Sequence, residues 1–334
     1  MKETRRRPGP GVPARLRGIP RIVSLLAFLL VCAALPAVSA QDRQAGTMRI
    51  SVPQSTAALP FLVAAREQSV PGVALKVDFF VNHAQALARL LRGETDLLLS
   101  GTSQGWENRL DGSPIVMIDT GVWALSSLVG KDRSITGFAD LRGKRIALPF
   151  PGSPLDFQTR ALLSFEKIDP DTSLTISYGP LAQSVQRLLA GQLDAAALPE
   201  PLATTVVKQN GLLRLVRYSQ AWARLTGGDP QSPQVSLFAT ESYVREHGKE
   251  LVALIGAWDA ASRAVSAHPA EIAAQFTQAL STDAATLAEA TRNTLLAVPP
   301  PAENKSRVMA YYDAVSRFLP AGPRPLDERF FFMP

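Results

Sequence analysis

The chain has 334 residues, 46% of them hydrophobic, with 35 Lys and Arg against 29 Asp and Glu. That composition belongs to a globular protein and excludes a disordered or fibrous one. The formal charge of +6 sits entirely in the first forty residues, which hold Lys2, Arg5, Arg6, Arg7, Arg15, Arg17 and Arg21 against Glu3 alone, so the remainder is formally neutral. No basic surface for nucleic acid is therefore expected on the folded part.

The arginine run is followed by an apolar stretch, Ile22 to Leu35, and then Val38-Ser39-Ala40. A positive region, an apolar core too short to span a bilayer and small residues at a cleavage point predict a secretory signal over 1–40 and an exported, periplasmic protein. The single cysteine, Cys32, lies inside that apolar core. Leu30-Val31 before it lack the small residue that lipoprotein processing wants, so no lipid anchor is expected. Pro8-Gly9 after the arginines favour ordinary secretion over twin-arginine export. The exported chain then has no disulfide, thiolate or cysteine metal site.

Beyond the signal, strands and helices alternate. Met48–Val52 reads as a strand, Ala57–Gln68 as a helix, Ala74–Val81 as a strand, Ala84–Leu91 as an amphipathic helix and Leu97–Leu99 as a buried strand. Ile115–Ile118 and Val122–Val129 add two more strands. The pattern restarts with a strand at Lys144–Leu148, a helix at Pro154–Lys167, a strand at Leu174–Tyr178, a helix at Leu181–Ala190 and a strand at Leu193–Leu198. A helix at Pro201–Lys208 and a strand at Leu213–Tyr218 follow. The turn-rich segment from Gly227 to Pro233 reads as a link. Val235–Ala239 is a last strand, before helices at Glu241–Val265, Ala270–Leu280, Asp283–Leu296 and Ala302–Phe318. Short strands alternating with helices imply two α/β units, each a mixed sheet flanked by helices.

Four stretches carry a resemblance. Phe138-Ala139-Asp140-Leu141-Arg142-Gly143-Lys144-Arg145-Ile146-Ala147 resembles the entry to the second lobe of periplasmic solute-binding proteins, and Gly152-Ser153-Pro154 resembles the version in the nitrate, taurine and aliphatic-sulfonate binders of ABC importers. Gly191-Gln192-Leu193-Asp194-Ala195-Ala196 with Glu200-Pro201, and Phe238-Ala239-Thr240-Glu241 with His268-Pro269-Ala270-Glu271, are similar to later segments of that family. The resemblance runs from about Thr47 to about Phe318. It implies a type II periplasmic-binding-protein fold, with lobe one at 47–132 plus 236–334 and lobe two at 133–235. It also implies a small-molecule ligand in the cleft, no cofactor, no catalysis, a monomer, and delivery to a transmembrane permease and indirectly its ATPase.

Candidate ligand residues follow from a rule independent of family, that ligands bind outside the carboxyl ends of parallel strands. These loops supply Gln54, Ser55 and Thr56; Asn82 and His83; Ser100, Thr102 and Ser103; Gly152, Ser153 and Leu155; Tyr178; and Glu200. Ser55, Thr56 and Ser153 also suit helix capping, Asn82 and His83 suit a turn, and Glu200 suits a helix start. The loops themselves contain no Lys or Arg, which leans the expectation towards a neutral or amine-bearing ligand. Trp106 and Trp123 read as packing.

Two alternatives stay open. Gly101-Thr102-Ser103-Gln104-Gly105 fits the G-x-S-x-G elbow of a serine hydrolase, with Asp229 and His247 or His268 as partners. A binding protein could also feed a sensor instead of a transporter. His83, His247 and His268 are too scattered for a metal motif.

Overall fold

The computed structural model describes residues 46–317 and 323–334. The expected signal over 1–40 lies outside the described residues. Two sheets organise the chain. The first is built from β1 (Thr47–Pro53), β2 (Ala74–Phe80), β3 (Leu97–Gly101), β4 (Ile115–Ala124), β10 (Val235–Thr240) and β11 (Leu295–Leu296), in the order β11-β4-β10-β3-β1-β2. The second contains β5 (Ser126–Gly130), β6 (Arg145–Leu148), β7 (Thr175–Tyr178), β8 (Ala195–Pro199) and β9 (Leu213–Arg217), in the order β7-β6-β8-β5-β9. Both are mixed: β1, β2 and β3 run parallel while β10 runs against β3 and β4, and β5 runs against β8 and β9.

The chain passes between the sheets at Leu125 and returns through residues 227–234. The first passage precedes the lobe boundary expected at 132, because Ser126–Gly130 pairs in full with Pro199–Ala195 of the second sheet. The apolar run from Val122 to Val129 is thus two strands in different sheets. The helix expected over Glu241–Val265 is likewise two, Glu241–Glu246 and Gly248–Ala267, divided at His247. A helix at Tyr218–Thr226 stands where none was expected, closed by Gly227 in the left-handed region (φ 79°).

Among the described residues, apolar side chains form three clusters. One joins the first sheet to the helices Leu59–Arg66 and Gly248–Ala267, and the smallest covers one face of the second sheet. The cluster between them takes residues from both sheets, including Leu98 and Met117 of the first and Leu128 and Ile146 of the second. Trp106 meets Phe157 edge-on at 5.8 Å across this seam, and Tyr311 of the helix Pro301–Ser316 touches both Trp106 (5.9 Å) and Trp222 (4.8 Å). Burial of such large rings holds the halves together.

Candidate functional site

Strand direction places the carboxyl ends of the two sheets against each other. In the first sheet Pro53, Phe80 and Gly101 end their strands on one edge, and the antiparallel pairings bring Val235 and Leu295 to the same edge. In the second, Leu148, Tyr178 and Pro199 do so, with Arg217 level with Leu198 across Ser127. The loops after these ends meet closely. Ser103 Oγ donates to Gly152 O at 3.1 Å, and a Cβ at Gly101 would fall 2.7 Å from Pro154 Cγ, so only glycine permits this approach. Gly152 itself has φ +76°, and its N–H donates to Asp156 Oδ2 at 2.8 Å.

Each candidate residue has a defined place. Thr56 is buried, its hydroxyl 2.7 Å from that of Thr294, and its N–H points at Glu200 O at 3.5 Å. Thr102 shares a hydrogen bond with Ser236 (2.7 Å), and Ser236 shares another with Thr120 (2.8 Å). His83 Nδ1 lies 3.1 Å from Ser100 Oγ, and its ring packs between Phe80 and Phe150. Burial lowers its pKa to about 4, so the imidazole is neutral at pH 7. Ser55 and Ser153 cap helical turns by accepting from Ala57 N and Asp156 N. Asn82 is an exposed cap accepting from Gln85 N. Gln54 is exposed and donates to Ser281 Oγ at 3.2 Å. Leu155 is in the shared apolar cluster. The Tyr178 hydroxyl donates to Asp156 Oδ1 at 2.8 Å, and Arg160 engages both.

Glu200 is 1% exposed. Its Oε2 accepts from Thr204 N at 3.0 Å, and its Oε1 lies 2.8 Å from Arg214 as an ion pair without hydrogen-bond alignment. Arg214 donates in turn to Ser127 Oγ and Thr204 Oγ1. Arg217 differs. It donates to Asn293 Oδ1 at 2.9 Å, and among the described residues no carboxylate forms an ion pair with it. Burial first, then the neighbouring Arg214, lower its pKa.

Reasoning from loops alone missed these residues. Arg214 and Arg217 lie on β9, and Asn293 caps the helix Ala284–Arg292, from where its Nδ2 donates to Thr204 Oγ1 across the seam. The expectation of a cation-poor site does not hold at this edge, because strand pairing carries the arginines there. A second missed group is the buried triad Gln158, Ser232 and Gln234, in which Gln158 donates to Ser232 (2.9 Å) and Gln234 donates to Gln158 (3.0 Å). It ties the helix Pro154–Phe165 to the returning segment.

Gly101-Thr102-Ser103 does form a strand-to-helix elbow, with the helix running Thr102–Leu110. Ser103 nevertheless spends its proton on Gly152 O, and among the described residues no imidazole hydrogen-bonds to it. Among the described residues, no group of three His, Cys, Asp or Glu side chains could hold a metal ion, and no helix is long and apolar enough to cross a membrane.

Two separate mixed sheets flanked by helices, with the carboxyl ends of their strands facing each other, make this a two-lobed periplasmic-binding-protein fold. The NMT1-like family matches residues 108–281, more than half of the chain, and the chain belongs to that family. Solved structures agree on the fold. The periplasmic aliphatic sulphonate binding protein SsuA from Escherichia coli is 17% identical, with a TM-score of 0.69 over 87% of this chain and 93% of that one. The alkanesulfonate-binding protein SsuA from Xanthomonas axonopodis pv. citri bound to MOPS is 18% identical, with a TM-score of 0.66 over 82% and 94%. The periplasmic nitrate-binding protein NrtA from Synechocystis PCC 6803 is 15% identical, with a TM-score of 0.67 over 83% of each. No curated protein matches the sequence.

Proposed function

We propose that the chain is the solute-binding component of an ABC importer. It would hold a small organic molecule between the lobes and deliver it to a membrane permease. The observation that carries this reading is the meeting of polar groups from both sheet edges: the Thr56 N–H with the Glu200 carbonyl, the Ser103 hydroxyl with the Gly152 carbonyl, and the Asn293 side chain with those of Arg217 and Thr204. A ligand that satisfies groups on both edges gives the closed arrangement its population, which is the whole energetic task of such a protein. The lobes are proposed as 47–125 plus 235–334 and 126–234, with the first boundary at Leu125 instead of the expected 132 because β5 pairs with β8, and the second at Val235, which pairs with Gly101. Export to the periplasm by the 1–40 signal, action as a monomer and absence of catalysis belong to the same reading.

Arg217 favours a ligand with a negative or strongly accepting group, because among the described residues no carboxylate is close enough to form an ion pair with it, although Glu200 and Glu289 lie within electrostatic reach. A thermal-shift screen of the purified protein against alkyl sulfonates, nitrate, aromatic carboxylates, pyrimidines, amines and amino acids tests the proposal. Ligand at about 100 times its Kd adds about 2.7 kcal/mol of stability. One class should give a saturable rise that Arg217→Ala weakens. No rise with any class, or labelling of Ser103 by a fluorophosphonate probe, would overturn it.

A further inference from the structure

The two faces of the seam between the sheets are unlike. On one, the shared apolar cluster runs from Leu98 and Met117 to Leu128 and Ile146, and the rings of Trp106, Phe157 and Tyr311 close it. On the other, the apolar clusters of the two sheets stay apart. Leu287 and Ala288 of the helix Ala284–Arg292 belong to that of the first sheet, and Ala203 and Val206 of the helix Leu202–Asn210 to that of the second. These two helices meet through polar atoms. Asn293, at the end of the first, donates from Nδ2 to Thr204 Oγ1 at 3.1 Å and accepts at Oδ1 from Arg217 at 2.9 Å. Lys208 lies 3.7 Å from Glu289, and Asp283 is within its electrostatic reach.

Parting an apolar seam exposes carbon to water, whereas parting hydrogen bonds exchanges them for bonds to water at small net cost. The lobes therefore separate at the polar face and stay joined at the apolar one. What holds the polar face shut is direct side-chain bonding, which needs nothing between the lobes. Asn293 carries most of it, because one amide makes both bonds and Thr204 is fully buried. Lys208 and Glu289 are 37% and 47% exposed, so their pair adds less. The kind of acceptor also matters. A neutral amide satisfies an N–H of Arg217 without neutralising its charge. An anionic group bonds a guanidinium more strongly and can take the amide's place. The latch therefore yields to a ligand, where a carboxylate in the same position would compete with it.

We propose that Asn293 is a latch that gives the protein a closed population before ligand binds, by lending Arg217 the acceptor that the ligand later supplies. The inference rests on Arg217 lying in the ligand cleft, but its test uses protein without ligand. In a Cys32→Ser background, which removes the single cysteine, spin labels at Ala274→Cys and Gln209→Cys report one distance between the lobes. Both positions are exposed, the first on the helix Pro269–Gln275, which packs beside Ala284–Arg292, and the second on Leu202–Asn210. The parent should show a short, closed distance and a longer, open one. Asn293→Ala should lower the closed-to-open ratio by about tenfold or more, as expected for the loss of two hydrogen bonds. Lys208→Glu should lower it by less, and the two together by more than either. Asn293→Asp should raise it. The backbone at Asn293 is right-handed (φ −86°), so either replacement fits without strain. Three results would overturn the proposal. They are a parent with the open distance alone, the same distribution in the parent and in the Asn293→Ala/Lys208→Glu double variant, or Asn293→Asp opening as far as Asn293→Ala. A thermal-shift screen with no rise would sink the binding reading instead, and these distances would still decide the latch.

Discussion

On the edge of the first sheet, the polar atoms facing the seam are hydroxyls and amides: Thr56, Ser100, Thr102, Asn293 and Thr294. On the edge of the second they are charges: Glu200, Arg214, Arg217, Asp156 and Arg160. The difference is physical. A hydroxyl or amide can donate or accept and costs little once paired, so the first edge can adapt to either an open or a closed partner. A half-buried charge tolerates little freedom, so the second edge is organised before any ligand arrives, through Glu200–Arg214 and Asp156–Arg160–Tyr178. Specificity should therefore reside on the second edge and accommodation on the first.

The largest test is Glu200→Gln. It leaves Arg214 beside an uncharged partner in a buried place and should cost about 3 kcal/mol in urea unfolding. Arg145→Ala, which removes a solvent-exposed pair with Asp194, should move the urea midpoint far less. Equal costs would mean the second edge is not pre-organised.

The next test concerns the first sheet's exception. Asp119 on β4 is fully buried, its Oδ1 accepts from Thr120 N at 2.7 Å, and its Oδ2 has no partner. Burial raises its pKa from 3.8 to about 7. The folded state then keeps a proton that the unfolded chain has released, so stability falls as pH rises from 3.8 to about 7 and is level above. His83 acts in the opposite sense. Its pKa is lowered from 6.5 to about 4, so its contribution is present above 6.5 and is lost as pH falls through about 4. Over the shared window the two slopes oppose. Asp119→Asn should unmask the His83 slope, giving stability that rises between about pH 4 and 6.5. It should also gain a few kcal/mol over the parent at pH 8, since each pKa unit is worth about 1.36 kcal/mol. Parallel curves for parent and variant in denaturant melts across pH would refute the buried, unpaired state of Asp119.

Arg217→Ala addresses binding. The affinity for the cleft ligand should fall by about 10- to 100-fold, or about 1.4 to 2.7 kcal/mol. The loss of one bond to Asn293 should barely move the melting temperature. Unchanged affinity would shift ligand recognition to the first edge and invert the comparison.

The strand-end rule makes the first edge legible in sequence, because Gln54-Ser55-Thr56 and Ser100 to Ser103 directly follow short apolar runs. The second edge is only half legible. Ser153, Tyr178 and Glu200 follow strands, but Arg214 and Arg217 are on a strand whose neighbour, β5, is set by a pairing over a long sequence separation. The same pairing explains why Val122 to Val129 reads as one strand. Every residue from Ile115 to Val129 except Ala124 is buried, so periodicity carries no mark of the change of sheet at Leu125. The helix Tyr218–Thr226 was hidden for a related reason. It starts directly from β9 without a side-chain cap, and Tyr218 continues the apolar strand pattern.

The smallest effect separates capping from binding. Asn82 and Ser153 do the same local work, each accepting from the backbone N–H three residues on, at 3.0 and 3.1 Å. Replacing either by Ala should cost about 1 kcal/mol of stability. Their surroundings differ. Asn82 is exposed on the first edge, beside the solvent-facing Val81. Ser153 is 2% exposed on the second edge, between Gly152, which receives the Ser103 hydrogen bond, and Asp156, which holds Gly152 N, Tyr178 and Arg160. Loss of the Asn82 cap frays one turn in water and leaves the cleft as it was. Loss of the Ser153 cap loosens the turn that carries Gly152 and Asp156 to the seam, so the closed arrangement is harder to hold. Ser153→Ala should therefore weaken ligand binding several-fold beyond its effect on stability, whereas Asn82→Ala should lower the melting temperature equally with and without ligand. If the two variants behaved alike in a titration at fixed temperature, Ser153 would be a cap and nothing more.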